Sequence, residues 1–216
     1  MSTDEERTAA RLARKERRHD RRRHQILLAA RELLVQGGPE ALTMSALGDA
    51  ADISASTLYY YLPGRQAVLD AVAGDLVDEE TVGLVAALER AEGGVDSLCE
   101  VMQARVSMFI DDPDRFGVLY MQLVGVKLSP EVLSERIYPA SARVMGELER
   151  RLAADQAAGL IHSDLKPREF ANVGFFAVQG ILSTALGMLA SGGSLLFGVQ
   201  TLADEAIATV RRAARV

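Results

Sequence analysis

The sequence predicts an all-α fold, with a small N-terminal three-helix domain of helix-turn-helix type followed by a larger helical domain. Three observations lead there. Ala, Leu, Glu and Arg dominate the composition, aromatics make up 5% of it and Trp is absent, a mixture with high helix propensity. Apolar residues recur at three- and four-residue spacing along most of the chain, and no alternating β-branched run asks for a sheet. Near the N-terminus two short periodic segments, joined by about three residues and preceded by a longer one, carry the helix-turn-helix spacing. With 216 residues, 49% of them hydrophobic, the chain is long enough for a real core.

Residues 1–20 are charged and lack an apolar stripe, so they are expected to form a basic flexible extension, ordered at most beside a partner. The first clear helix carries Ile26, Leu27, Ala30, Leu33 and Leu34 on one face and stops at Gly37-Gly38-Pro39. Thr43 is placed to cap a short second helix with Met44, Leu47 and Ala50 or Ala51 turned inward. Ser54 is placed to cap a third, Ala55 to Tyr61, closed by Pro63-Gly64, and a fourth starts near Arg65 with Val68, Leu69, Val72 and Leu76 aligned. The domain boundaries expected are 21–66 for the helix-turn-helix domain and 67–216 for the rest.

Charge is unevenly spread. The whole chain carries −6, yet from Arg7 to Arg31 ten Lys or Arg face two acids, a local balance of +8. From Ala71 onward thirteen basic residues face twenty acidic ones. A basic end on an acidic body is an electrostatic footprint for phosphate, although a solubilising tail has the same signature. The third helix adds a second hint. Ser56, Thr57, Tyr59, Tyr60 and Tyr61 crowd onto two turns, and three of the five tyrosines of the chain are consecutive. Successive helical positions point about 100° apart, so at least one phenol stays near solvent. Hydroxyls and small side chains opening a helix suit a major groove about 12 Å wide; a tyrosine-rich packing helix is the alternative.

The stretch RRRHQILLAARELLVQGGPEALTMSALGDAADISASTLYYYLPGRQAVLDAVAGDL resembles the N-terminal domain of the TetR family of bacterial transcriptional regulators. The resemblance lies in an Ala-rich first helix ending in Gly, then T-x-x-x-L, S-x-x-T-L-Y-x-Y and Pro-Gly-Arg before a Leu/Val helix. It implies core roles for Leu47 and Leu58 and DNA-facing roles for Thr43, Met44, Ala55, Ser56, Thr57, Tyr59 and Tyr61. Tyr60 and Arg65 would touch the phosphate backbone, with Arg65 where the family usually has Lys and Tyr61 where His is common. Arg22 and Arg23, with the basic arm before them, would add phosphate contacts or enter an adjacent minor groove. The family further implies a dimeric repressor on a palindromic operator in double-stranded DNA, released by a small molecule held in a helical effector-binding and dimerisation domain; the single cysteine and the charged N-terminus, unlike a signal peptide, fit a cytoplasmic setting. Activation, or binding without an effector, remains compatible with the same sequence.

Beyond Glu79 the periodicity predicts helices at 65–80, 95–111, 114–126, 130–158, 167–191 and 195–214, separated by Gly93-Gly94, Asp112-Pro113, Ser129-Pro130, Gly159, Lys166-Pro167 and Gly192-Gly193. No charged residue occurs between Glu169 and Asp204. That length suffices to cross a membrane, but Asn172, Gln179, Ser183, Thr184 and the glycines dilute it and basic flanks are missing. Burial against the own domain and a second copy is expected instead, giving a homodimer through about 167–214, with Gly180, Ala185, Gly187 and Ala190 allowing close approach. Candidate walls of a pocket for a hydrophobic or amphipathic effector are Met102, Phe109, Phe116, Tyr120, Met121 and Phe176, with Gln122 or Gln179 to orient a polar group; each also fits a plain core role.

Enzymatic chemistry finds little footing. His19, His24 and His162 are too dispersed for a metal set, and Cys99 stands alone in a helical pattern, so neither a disulfide nor a thiolate nucleophile is expected. No Walker or dinucleotide-binding glycine motif occurs. The charged N-terminus does not read as a signal peptide. No cofactor and no membrane partner are expected.

Overall fold

A computed structural model describes residues 3–215 and divides the chain into two compact units, residues 1–72 and 73–216, with the boundary inside the fourth helix. In the first unit, α1 spans Thr3–Ala41. It is interrupted where the sequence demands it: Gly37 leaves helical geometry, and Gly38 has φ 65 and ψ −166, a region essentially restricted to glycine. The expected flexible extension over 1–20 is instead helical from Thr3, with the first two residues outside the described range. High propensity along Ala9 to Arg23 propagates a helix already nucleated by the buried Ile26, Leu27 and Ala30.

The next two helices form as their caps dictate. Thr43 Oγ1 accepts the Ala46 N–H at 3.1 Å to start α2 (Met44–Ala50), and Ser54 Oγ accepts the Thr57 N–H at 3.3 Å to start α3 (Ala55–Tyr61). Asp52 takes φ 49 in the turn between them. Leu47 and Leu58 are fully buried, joining Ile26, Leu34, Leu42 and Leu69 in the core of this unit.

Helix α4 (Arg65–Arg90) runs ten residues beyond its expected end, because Leu84, Ala87 and Leu88 continue the buried stripe past the acidic Asp78-Glu79-Glu80. In the second unit, α5 (Gly94–Asp111), α8 (Tyr138–Ala157), α9 (Pro167–Ala190) and α10 (Val199–Ala214) pack on one another around Leu98, Met102, Leu148, Leu152, Val178 and Leu182. The expected 114–126 and 130–158 helices are not continuous α-helix. Short α6 (Pro113–Gly117) passes into a π-helical turn at Val118–Gln122, and α7 (Pro130–Val132) into another at Leu133–Ile137. Such wide turns mark places where a helix makes room, often at functional sites.

At the α4–α5 junction, α8 satisfies both helix ends. Arg151 donates to the Leu88 carbonyl at 2.8 Å and the Ala91 carbonyl at 2.5 Å, while Asp155 accepts the Gly94 and Val95 N–H groups at 2.7 and 3.1 Å. Cation at a C-terminus and anion at an N-terminus complement the helix dipoles.

Helix α9 buries Ala171, Gly174, Val178, Leu182 and Ala185. It is long and apolar enough to cross a membrane by length and composition, and only 22% of its most apolar stretch is buried. Its outer face exposes Val173, Phe176, Ala177, Gly180, Thr184 and Gly187. Ala185, expected to aid contact with another copy, faces the core of its own unit instead.

Candidate nucleic-acid interface and internal cavity

The N-terminal unit exposes a polar face on α3. Leu58 anchors the helix inward, so Ala55, Ser56, Tyr59 and Tyr60 turn outward, with the two rings 52% and 70% exposed. The Ser54, Ser56 and Thr57 hydroxyls cluster at the helix start, Ser54 Oγ lying 3.1 Å from Ser56 Oγ and 2.8 Å from Thr57 Oγ1. Tyr61 is half-buried, its ring 4.7 Å from His19 and 5.2 Å, edge-on, from Tyr60. Thr43 is exposed at the head of α2, beside the half-buried Met44.

Three arginines singled out in the sequence are half-buried or already bonded. Arg22 donates to Gln25 Oε1 at 3.1 Å and to the Asp52 carbonyl at 3.3 Å, tying α1 to the α2–α3 turn. Arg23 is half-buried. Arg65 donates to the Leu42 carbonyl at 2.8 Å and the Pro39 carbonyl at 2.6 Å. It therefore braces the chain between α1 and α2, with some of its five N–H groups left over for phosphate. The exposed Arg11, Arg14, Lys15 and Arg18 of α1 line a groove of about 680 Å³ that Tyr60 and Tyr61 close on the other side.

Residues 26–72 match the N-terminal domain model described as bacterial regulatory proteins, tetR family. The first unit thus carries the tetR-family domain. No curated protein matches the sequence. Among solved structures, a protein of unknown function from Rhodococcus sp. RHA1 is 25% identical, with 90% of this chain and 96% of that one covered at a TM-score of 0.70. The regulator FadR from Bacillus subtilis, in complex with stearoyl-CoA, is 15% identical over 88% and 98% of the two chains at 0.71. The regulator PfmR from Thermus thermophilus is 20% identical over 87% and 97% at 0.67. The fold shared with these structures thus extends through both units.

The second unit holds a cavity of about 300 Å³, walled by α4, the two π-turn segments, α8 and α9. Val77, Leu84, Leu119, Val144, Met145 and Phe175 make most of it apolar. Of the residues expected to wall a pocket, Tyr120 and Phe176 do so. Met102 is sealed in the core, and Phe109 and Phe116 pack edge-on at 5.2 Å away from the cavity. Met121 is 43% exposed on the outside, and neither Gln122 nor Gln179 reaches the wall. These departures share a cause: helical spacing separates inside from outside but not a cavity wall from close-packed core.

Behind the wall lies a polar cluster that the sequence reading missed. Arg105 is 1% exposed, and its Nε donates to Glu80 Oε1 at 3.2 Å. It also donates to the Phe175 carbonyl at 3.3 Å and to Gln179 Oε1, and Gln179 in turn donates to Ser183 Oγ at 3.0 Å. The guanidinium lies over the rings of Phe175 and Tyr120, 3.9 and 4.8 Å from their centroids. Burial pushes the Tyr120 phenol well above its ordinary pKa; Arg105 opposes that rise and Glu80 adds to it. The hydroxyl thus keeps its proton and donates to Glu80 Oε2 at 2.5 Å. A signal was available, since Arg105 falls on the Val101–Phe109 stripe and Glu80 on the Leu76–Leu84 stripe, charged residues at core positions.

Cys99 is buried, and burial raises its thiol above the ordinary value, as in an inert structural cysteine. Among the described residues no group of three or more His, Cys, Asp or Glu side chains is placed to hold a metal.

Proposed function

We propose that the chain is a cytoplasmic transcriptional repressor that binds a palindromic operator as a homodimer and leaves it when a small hydrophobic molecule occupies the second-unit cavity. The observation that carries the reading is α3, which turns Ser56, Tyr59 and Tyr60 outward from a buried Leu58 beside a strongly basic α1. In this reading Thr43, Met44, Ala55, Ser56, Thr57, Tyr59 and Tyr61 face the major groove. Tyr60, Arg22, Arg23 and Arg65, with the basic residues of α1, hold phosphates and fix the register. Small side chains at Ala55 and Ser56 leave much of the sequence preference to DNA shape.

Self-association is supported by the outer face of α9. Val173 and Phe176 are 63% and 61% exposed, and added Cβ atoms at Gly180 and Gly187 would meet nothing within 4 Å. An apolar, small-residue face of that length requires cover, and a second copy supplies it symmetrically without a membrane partner. The Bacillus subtilis relative, whose complex contains stearoyl-CoA, supports a ligand role for the apolar cavity.

Selection of bound duplexes from a random pool tests the proposal. The expected result is a palindrome whose half-sites lie about one helical turn, or a multiple, apart. Recovery of unrelated sequences with equal affinity would refute specific recognition. A promoter–reporter assay then separates repression from activation.

A further inference from the structure

The effector cavity has a chemical bias that its apolar volume alone does not reveal. Among the described residues Glu80 is the one ionised side chain on its wall. Arg105 balances that charge from behind, but it is 1% exposed, bonded to Glu80, Gln179 and the Phe175 carbonyl, and packed against the Tyr120 and Phe175 rings. An incoming anion would meet the carboxylate and not the guanidinium.

The neighbouring polar groups point the same way. Tyr120 directs its proton to Glu80 at 2.5 Å, and Thr81 directs its proton to the Val77 carbonyl at 2.7 Å. Asn172 commits an amide N–H to the Arg168 carbonyl at 2.8 Å. What Glu80, Tyr120 and Thr81 still offer is oxygen lone pairs: a carboxylate has about four acceptor sites, of which Arg105 and Tyr120 occupy two. Ser141 is the remaining polar group on the wall and can donate.

We propose that the cavity selects hydrophobic molecules that carry a hydrogen-bond donor, an alcohol or an amine, and excludes hydrophobic carboxylates. This rests on the reading of the cavity as the effector site and narrows it. The physical reason is that a donor gains a charge-assisted bond to Glu80 in a low-dielectric pocket. A carboxylate loses its hydration and faces a like charge, with only the Ser141 hydroxyl and the second Asn172 amide N–H left on the wall to donate to it.

The test uses three probes with one ten-carbon chain, 1-decanol, decylamine and decanoate, each below its micellar concentration, titrated calorimetrically into the full chain. Decanol and decylamine are expected to bind roughly tenfold or more tightly than decanoate, a difference that one close like-charge contact readily supplies. Glu80→Gln removes the repelling charge and is expected to raise decanoate affinity roughly tenfold, narrowing the gap. Because that variant leaves Arg105 without its counterion, Tyr120→Phe provides a second check: it frees a Glu80 lone pair, keeps the ion pair and should preserve the preference for donors. Decanoate binding as tightly as decanol, or no binding by any probe, overturns the proposal. So does a folded Glu80→Gln variant with the wild-type order of affinities. Operator release, followed by mobility shift on the same samples, separates the two readings. Donor-selective binding without release leaves the selectivity standing and removes the effector role, whereas release driven best by decanoate does the reverse.

Discussion

Replacing Gly94 with Ala should damage the α4–α5 junction out of proportion to one methyl group. A Cβ at this position would lie 2.5 Å from the Leu152 amide nitrogen and 2.6 Å from Leu152 Cα and the Arg151 carbonyl carbon. These are backbone atoms of α8, so no rotamer change relieves the overlap, and α5 must retreat by about 1 Å to reach ordinary van der Waals separation. That retreat stretches the two bonds from Gly94 and Val95 to Asp155, now 2.7 and 3.1 Å. Hydrogen bonds to a charged group contribute about 1.5–3 kcal/mol each, and partial loss of both outweighs the gain of at most about 1 kcal/mol from alanine's helix propensity. The net expectation is a loss of about 2–4 kcal/mol, which lowers Tm by about 4–16 °C in a domain of this size. Gly146→Ala is the matched control: it sits inside α8, its Cβ would meet nothing within 4 Å, and the same substitution should add about 0.5–1 kcal/mol. Urea unfolding followed by circular dichroism, at two protein concentrations to separate association from folding, reads both variants. Equal stability of the two would refute the claim that backbone proximity at Gly94 fixes this junction.

Gly187→Leu places a bulky side chain on the exposed outer face of α9, from a Cβ that would meet nothing within 4 Å, so the monomer should stay folded and dimer mass by light scattering should fall; an unchanged dimer mass would count against that interface. Arg65→Ala removes the bonds to Pro39 and Leu42 and should cost about 1–3 kcal/mol of stability in the N-terminal unit as well as operator affinity. A reduced salt slope with unchanged thermal stability would instead make Arg65 a phosphate ligand only. Hydrogen bonds from Arg150 and Arg151 lower the Glu147 carboxyl from 4.5 to about 2. A depressed folded-state pKa stabilises above the unfolded value and fades as pH falls through the folded one. Glu147→Gln should therefore cost about 0.3–0.5 kcal/mol at pH 7, the pairs being partly solvent-screened, and the cost should shrink steadily below the unfolded value of 4.5 to a small remainder near pH 2. A constant difference across that range, in stability measured by urea unfolding, would contradict the assignment.

The helix-turn-helix was legible because its determinants are local. Thr43 and Ser54 each cap a helix three residues on, Gly38 supplies a backbone conformation closed to other residues, and Leu47 and Leu58 occupy the inward positions their spacing requires. The basic run before Ile26 was legible as charge but not as helix, since a polar helix is carried by the packed segment it extends and not by a stripe of its own. The cavity was mostly hidden. Its walls come from segments separated by loops of unpredictable path, and Arg105 meets partners 25, 70 and 74 residues away.

The sequence by itself determined the helices, their caps, the polar α3 face and the charge contrast between the two ends, because each depends on residues within a turn or two. Tertiary packing alone decided which charges lie inside and which apolar side chains stay out. Arg105 and Glu80 are tolerable in the interior only because distant segments bring them together, and Val173 and Phe176 remain exposed only because α5, α8 and α10 cover the opposite side of α9. Burial is a property of neighbours, and neighbours far apart along the chain are fixed only when it folds.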